Sequence, residues 1–143
     1  YQKDFDPNRR NRLGFALSDI TQHLPGAFLI YKADPENDQI LFANQELVTY
    51  AGCKDLDEFM QYSKHSFRNL IRSDEQEAVE KSIWQQIRSQ AAGTNDFVQF
   101  HFVKKDGSTH PVLDHGRIVE SNYYGNVFYV LIMDCQLLDE HYD

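Results

Sequence analysis

His101, His110, Asp114 and His115 fall within a short stretch and are of the types that ligate metals or move protons. What they can do together depends on which side of a strand each one faces. Asp106-Gly107 between two extended runs is a hairpin signal, because Gly takes positive φ without steric cost. Closing the hairpin there sets residue 101 opposite 112 and residue 103 opposite 110. His101 and His110 then become diagonal neighbours on one face, and His115 points away. Two diagonal histidines on an exposed face make a weak metal site, and solvent-facing strand residues are the simpler reading. Asp114 and His115 are sequence neighbours on a strand, so they face opposite ways and form no triad. No Gly-rich phosphate loop, nucleophile elbow or CxxC is present. The reading is no catalytic residues and no metal. Cys53 and Cys135 stand far apart without companions, which is no disulfide framework and fits a reducing cytosol.

The 143 residues suffice for one domain burying roughly two-thirds of its unfolded surface. A hydrophobic fraction of 41% with 13% aromatics supplies a core. No apolar run approaches the roughly 20 residues of a membrane span. Net charge is -8, with no Lys/Arg stripe, so nucleic acid and direct membrane contact are poor expectations. Tyr1 in place of an initiating Met, without a signal peptide, reads as a piece of a longer protein.

Val127 to Met133 is apolar throughout, which is the pattern of a strand buried on both faces at the centre of a sheet. Ala27 to Tyr31 reads likewise and is the first strand; Asp34 to Asp38 is a turn, and Gln39 to Ala43 is the second strand. Asn44 stands where an N-cap belongs, with Gly52 as the stop of the following helix. Asp55 with Glu58 and Asp74 with Glu77 have capping-box spacing. The first opens a short helix through Gln61. The second opens a long helix over 74–92 carrying Val79, Ile83 and Ile87, ended by Gly93. Ahead of all this, residues 8–23 carry Leu13, Leu17, Ile20 and Leu24 on one helical stripe, ended by Leu24-Pro25-Gly26. Such a stripe must cover a sheet face or pair with a partner. The order gives an α+β fold: a five-stranded antiparallel sheet of order 2-1-5-4-3, helices on one face and the N-terminal helix on the other. The boundaries are 1–24 for the amphipathic cap or dimer helix, 25–136 for the core and 137–143 for the start of a linker.

Five segments then resemble the PAS domain, in the family's order. They are Leu24-Pro25-Gly26, Ile40 to Asn44 leading into Tyr50 to Cys53, Ser66 to Ile71 ahead of Ser73-Asp74, Lys104 to Gly107, and Tyr129 to Asp134. The likeness spans about Leu24 to Asp134, and the texture around Lys81 to Trp84 looks like PAS modules placed before GGDEF diguanylate cyclase, EAL or histidine kinase regions. Three positions depart from the family pattern. Pro111 replaces a bulky aromatic and suggests a bulge. Cys135-Gln136 follows the terminal Asp where Ile-Thr is common, and Arg72-Ser73-Asp74 stands where His-Pro-Asp is frequent.

The resemblance implies a hollow between sheet and helices for haem, flavin, a metabolite or nothing. Haem needs an axial ligand, and the long helix has no His; His65 lies in a loop and reads as surface. A photoactive flavin needs a Cys in the segment corresponding to Lys64 to Asn69, which has none. Cys53 reads as a small buried residue. The cofactor is thus unknown, with haem and photoactive flavin disfavoured. The candidate lining is Asn44, Tyr50, Phe67, Ile71, Ile83 and Trp84, with Phe100, Phe102, Leu113, Tyr129 and Leu131 from the sheet. The implied function is a cytoplasmic sensory or regulatory module, homodimeric through the Leu13, Leu17, Ile20 and Leu24 seam. It would take a possible small-molecule ligand, and Asp134 would pass the change to a covalently linked output domain. The alternatives are a ligand-free dimerisation module and a small α+β enzyme, for which Asp114 is the single weak candidate.

Overall fold

The structure, a computed structural model, describes residues 16–142. Apolar runs with β-branched and aromatic content form the strands β1 (Ala27–Lys32), β2 (Ile40–Ala43), β3 (Asn95–Val103), β4 (Thr109–Ser121) and β5 (Gly125–Asp134). They make one antiparallel sheet in the order β2-β1-β5-β4-β3, as the sequence predicts. The helices are α1 (Leu17–Gln22), α2 (Gln45–Tyr50), α3 (Leu56–Ser63), α4 (Gln76–Ser89) and α5 (Cys135–Tyr142), with a 3-10 turn over Phe67–Leu70. The segment expected to open a linker is therefore helical from Cys135.

Alternation sorts the sheet into two faces. The inner face carries Leu29, Tyr31, Ile40, Phe100, Phe102, Val112, Phe128, Val130 and Ile132, packed on Leu47, Phe59, Phe67, Leu70, Val79 and Ile83 from the helical side. The outer face carries a smaller cluster of Phe28, Ile30, Phe42 and Val127, topped by Leu24, Leu41, Val119 and Tyr124. β5 is not buried on both sides along its length: Tyr129 and Leu131 point outward and are 43% and 38% exposed. A continuous apolar run does not say how far the second cover extends.

The β3–β4 register differs by one residue from the expectation. His101 faces Pro111, Phe102 faces His110 and Val103 faces Thr109. The turn is tighter than assumed, with the Lys104 N–H donating to Ser108 O at 2.9 Å and the Gly107 N–H to Lys104 O at 2.9 Å. A slip of one residue exchanges faces, so His101 and His110 lie on opposite sides and His101 shares its side with His115. No bulge forms at Pro111, where the β3–β4 pairing runs without a break. His101 turns its backbone outward, its N–H to Glu75 and its C=O to the Arg72 N–H. β4 begins pairing with β5 only at Val112. The missing donor of Pro111 is therefore asked for by neither neighbour.

Helix starts follow the sequence in two cases and not in the third. Asn44 caps α2, its Oδ1 accepting the Leu47 N–H, and Asp55 caps α3 through the Glu58 N–H. Glu58 reaches back to the Lys54 N–H at 2.7 Å. Asp74 caps nothing: its carboxylate meets the Arg72 Nε at 2.7 Å, and α4 begins at Gln76 without a side-chain cap. The helix stops at Gln90, in the left-handed region, before Gly93 is reached.

Asn44 is fully buried and makes four side-chain hydrogen bonds. Its Oδ1 accepts from the Phe28 and Leu47 N–H groups at 3.0 Å each, and its Nδ2 donates to Thr21 O at 2.8 Å and Gly26 O at 3.0 Å. Asn44→Ala removes all four of these bonds, at about 1 kcal/mol apiece. The expected loss of unfolding free energy in urea titration is about 3–4 kcal/mol. A loss under about 1 kcal/mol would show that water or relaxation replaces these bonds.

Candidate functional site

The candidate lining residues divide by face. Phe67, Ile71, Ile83, Phe100 and Phe102 are buried on the inner side, and Trp84 packs against them half-buried. Leu113, Tyr129 and Leu131 do not join them. Leu113 pairs with Met133 and Gln99, placing it on the outer face with Tyr129 and Leu131. Asn44 is a structural knot, its polar atoms all engaged. The rings fill much of the hollow: Tyr31 stacks on Phe67 at 4.2 Å and 4°, Phe67 meets Phe100 edge-on at 6.1 Å, and Trp84 meets Phe128 edge-on at 5.5 Å. Between Tyr31, Phe67, Trp84 and the β1–β2 turn a pocket of 270 Å³ remains.

Two side chains on this face are anomalous. Asp96 and Asp114 are each 1% exposed, and none of their four carboxylate oxygens has a hydrogen-bond partner. Asp114 faces Val98 across the hairpin, and Asp96 faces Gly116. A Cβ at Gly116 would lie 2.6 Å from Asp96 Oδ2, so only glycine leaves the Asp96 carboxyl its place. Burial raises the Asp96 pKa to about 7. It raises that of Asp114 well above the carboxylate range, and the neighbouring Asp96 adds to it. The sequence offers Asp114 only as a weak candidate, and placing Leu113 on the lining turns Asp114 the other way; the observed register reverses this. Asp96 has no such reading, although a glycine opposite an aspartate in mid-strand is the available signal.

The histidines serve separate local structures. The Glu75 carboxylate accepts the His101 N–H at 2.7 Å and meets its ring Nδ1 at 2.9 Å. His110 approaches the Tyr50 ring edge-on at 6.2 Å. His115 stacks on Phe97 at 4.4 Å, with its Nε2 3.0 Å from Asn95 Oδ1.

Tyr50 and Asp134 form the junction with the C-terminal helix. The Tyr50 hydroxyl donates to Asp134 Oδ2 at 2.7 Å. The other oxygen, Oδ1, accepts the Gln136 N–H at 2.8 Å and the Leu137 N–H at 3.3 Å, capping α5. Partial burial pushes the Asp134 pKa up, but the hydrogen bonds from Tyr50, Leu137 and Gln136 outweigh it and the net shift is downward. Burial first, then the bond to Asp134, pushes the Tyr50 phenol up. Next to this junction lies an open groove of 790 Å³ bordered by Pro25, Gln45, Thr49, Ile132 and Leu137. Of the dimer stripe, Leu13 and the side chain of Leu17 lie outside the described residues, Ile20 is 47% exposed and Leu24 is half-buried on the outer cluster.

A family profile described as PAS fold matches residues 40–132. The chain belongs to the PAS family. Solved structures similar to it include the PAS domain of a Desulfitobacterium hafniense protein, at 14% identity and TM-score 0.60, covering 79% of this chain and 95% of that one. Another is a PAS domain from a two-component sensor histidine kinase, at 13% identity and TM-score 0.61, covering 82% and 92%. A Rhodobacter sphaeroides LOV protein is similar at 14% identity and TM-score 0.63, covering 82% of this chain and 64% of that one. At such identities the likeness carries the fold. A comparison with curated proteins finds no match. PAS domains are sensory modules, and among the described residues no helix is long and apolar enough to cross a membrane.

The acids of the PAS hollow set a pH dependence of opposite sign to a salt-bridged carboxylate. Asp96 titrates near 7 folded and near about 3.9 unfolded. Between those values the folded chain holds the extra proton, so stability is full below about pH 4 and falls as pH rises toward 7. At about 1.4 kcal/mol per pH unit the loss approaches at most about 4 kcal/mol. Asp114, raised by burial and then by Asp96, contributes with the same sign. In unfolding titrations across pH 4–8, Asp96→Asn is expected to flatten the slope and to match or exceed the parent at pH 8. An unchanged slope would mean that the carboxyl is ionised and solvated.

Proposed function

We propose that this PAS domain is a sensory or regulatory module of a bacterial signalling protein, without catalysis of its own. Ligand or partner engagement at the hollow passes to α5 through the Tyr50–Asp134 bond, and from α5 to an output domain such as a diguanylate cyclase or a kinase. The observation that carries this is the double role of Asp134. One carboxylate oxygen holds the helical layer through Tyr50, while the other holds the first turn of α5. A change in how α2 sits against the sheet therefore acts directly on the start of the C-terminal helix. The sensor kinase among the similar structures supports an output of that general kind. Free cysteines, Cys53 buried and Cys135 at the start of α5, support a reducing cytoplasm. An enzymatic role for Asp96 and Asp114 is opposed by their burial, since no substrate reaches a carboxyl that is 1% exposed.

Tyr50→Phe removes the hydroxyl and leaves the ring on Phe102 (5.2 Å between centroids) in place. Hydrogen exchange of the variant is expected to show amides of α5 exchanging about five- to tenfold faster, with the β1 and β5 amides unchanged. Unchanged exchange in α5 would end the relay reading.

Homodimerisation through the N-terminal stripe is the second reading, favoured by Ile20. A stripe residue on a helix that must bury its apolar side is 47% exposed in the single chain. Sedimentation is expected to show a dimer that Ile20→Lys converts to monomer; a monomeric parent would exclude the seam.

A further inference from the structure

The pocket between the β1–β2 turn and α4 has a chemistry of its own. Its floor is Tyr31, 5% exposed, whose hydroxyl has no hydrogen-bond partner among the described residues although the residue lines an open cavity. The hydroxyl opens onto this cavity and is free to donate to or accept from a bound group. The ring is held by its stack on Phe67, and Trp84 forms a second aromatic wall.

The remaining lining is strongly acidic. Asp34, Asp38, Glu77 and Glu80 border the pocket against a single cation, Lys81. Two of these acids are structurally engaged. Asp34 closes its own turn through the Glu36 N–H, and Asp38 accepts the Ser66 hydroxyl and the Arg68 N–H, both at 2.8 Å. Glu80 lies 3.3 Å from the Arg68 guanidinium, which leaves its carboxylate partly compensated. Glu77 has no ion pair or hydrogen bond among the described residues. Behind the floor stand the buried Asp114 and Asp96. The Tyr31 phenol is pushed well up by burial first, then by Asp114, Asp96, Asp38 and Glu80, so acids act on it from both sides.

Aromatic faces, uncompensated carboxylates and a free hydroxyl oxygen suit one ligand class. An anion is repelled by four carboxylates, and a neutral apolar guest would leave the acids without a role. A cation gains from the ring faces, from the acids and from the phenol oxygen together. We propose that this pocket binds a small organic cation, an alkylammonium or guanidinium compound of about ten non-hydrogen atoms at the small end of ligand-pocket sizes. The charged head lies between Glu77 and Glu80, one N–H donates to the Tyr31 hydroxyl, and the apolar body rests on Tyr31 and Trp84. This rests on the reading of the chain as a sensory module and names the ligand class for it.

The test is NMR titration of the chain with 1,4-diaminobutane, 4-guanidinobutylamine and tetramethylammonium chloride at constant ionic strength, with sodium glutarate as the anionic control. At least one cation is expected to saturate in the micromolar to millimolar range, shifting β1 and α4 resonances, while glutarate does not. Glu77→Gln, an exposed substitution that removes no internal bond, and Tyr31→Phe, which keeps the stacked ring, are each expected to weaken binding about fivefold or more. No saturable cation binding overturns the proposal, as does binding indifferent to both variants or equalled by glutarate. The relay is read separately. If cations fail to bind while Tyr50→Phe still loosens α5, the ligand class is wrong and the sensory reading stands. Cation binding without any effect of Tyr50→Phe condemns the relay and keeps the site.

Discussion

The fold is tied together at Asn44. One amide holds the start of β1 through Phe28, the first turn of α2 through Leu47, and the chain entering the sheet through Thr21 and Gly26. All four of its hydrogen-bonding capacities are used, which is the condition under which a buried polar side chain specifies structure instead of weakening it. Asparagine is the residue that can do this, because it brings two acceptors' worth of oxygen and two donors to one point without charge. The position of α2 against the sheet, and hence of Tyr50 above Asp134, follows from that point. Local capping propensity was visible in the sequence; the three long-range bonds were not, since nothing in a capping signal says which carbonyls the amide donors will find.

Most of the architecture was legible because it depends on periods. Apolar runs at 27–31 and 127–133 had to be neighbours, and the order of strands followed. What failed was what depends on a single-residue offset. The β3–β4 turn is fixed by Asp106, whose carboxylate takes both the Ser108 N–H and its hydroxyl, at 2.9 and 2.6 Å. That bond sets where pairing resumes, and it moved His101 and His110 to opposite faces. Leu113 failed with the same offset, since the expected register set it opposite Phe100 while it faces Gln99. Tyr129 and Leu131 failed as lining residues for a related reason. In a strand that is apolar at every position, composition carries no information about which face is which.

The Asp74–Glu77 pair shows the competition behind the remaining error. A capping box is worth about 1 kcal/mol, while Asp74 beside Arg72 makes a charge-assisted bond and Glu75 collects three donors from Arg72 and His101. Glu75 thereby binds the edge of β3 to the start of α4, a contact that sequence spacing cannot show because its partners lie 26 residues apart. Asp96 and Tyr31 went unread for the opposite reason. Each looked like an ordinary strand residue, and only the structure shows that the carboxyl and the phenol have been left without partners.

Tyr31 and the Asp134 junction lie along one ladder. β1 pairs with β5 from Tyr31 opposite Phe128 to Ala27 opposite Ile132, two residues before Asp134. Tyr31 also leans on Phe67 and Phe128, and Trp84 of α4 leans on the same Phe128. In the proposed sensor, a charge bound at Tyr31 would act on the strand pair that leads toward the Asp134 cap of α5. Asp114 faces Ile132 on the other flank of the same β5, so a buried acid also borders the strand that runs into the C-terminal helix.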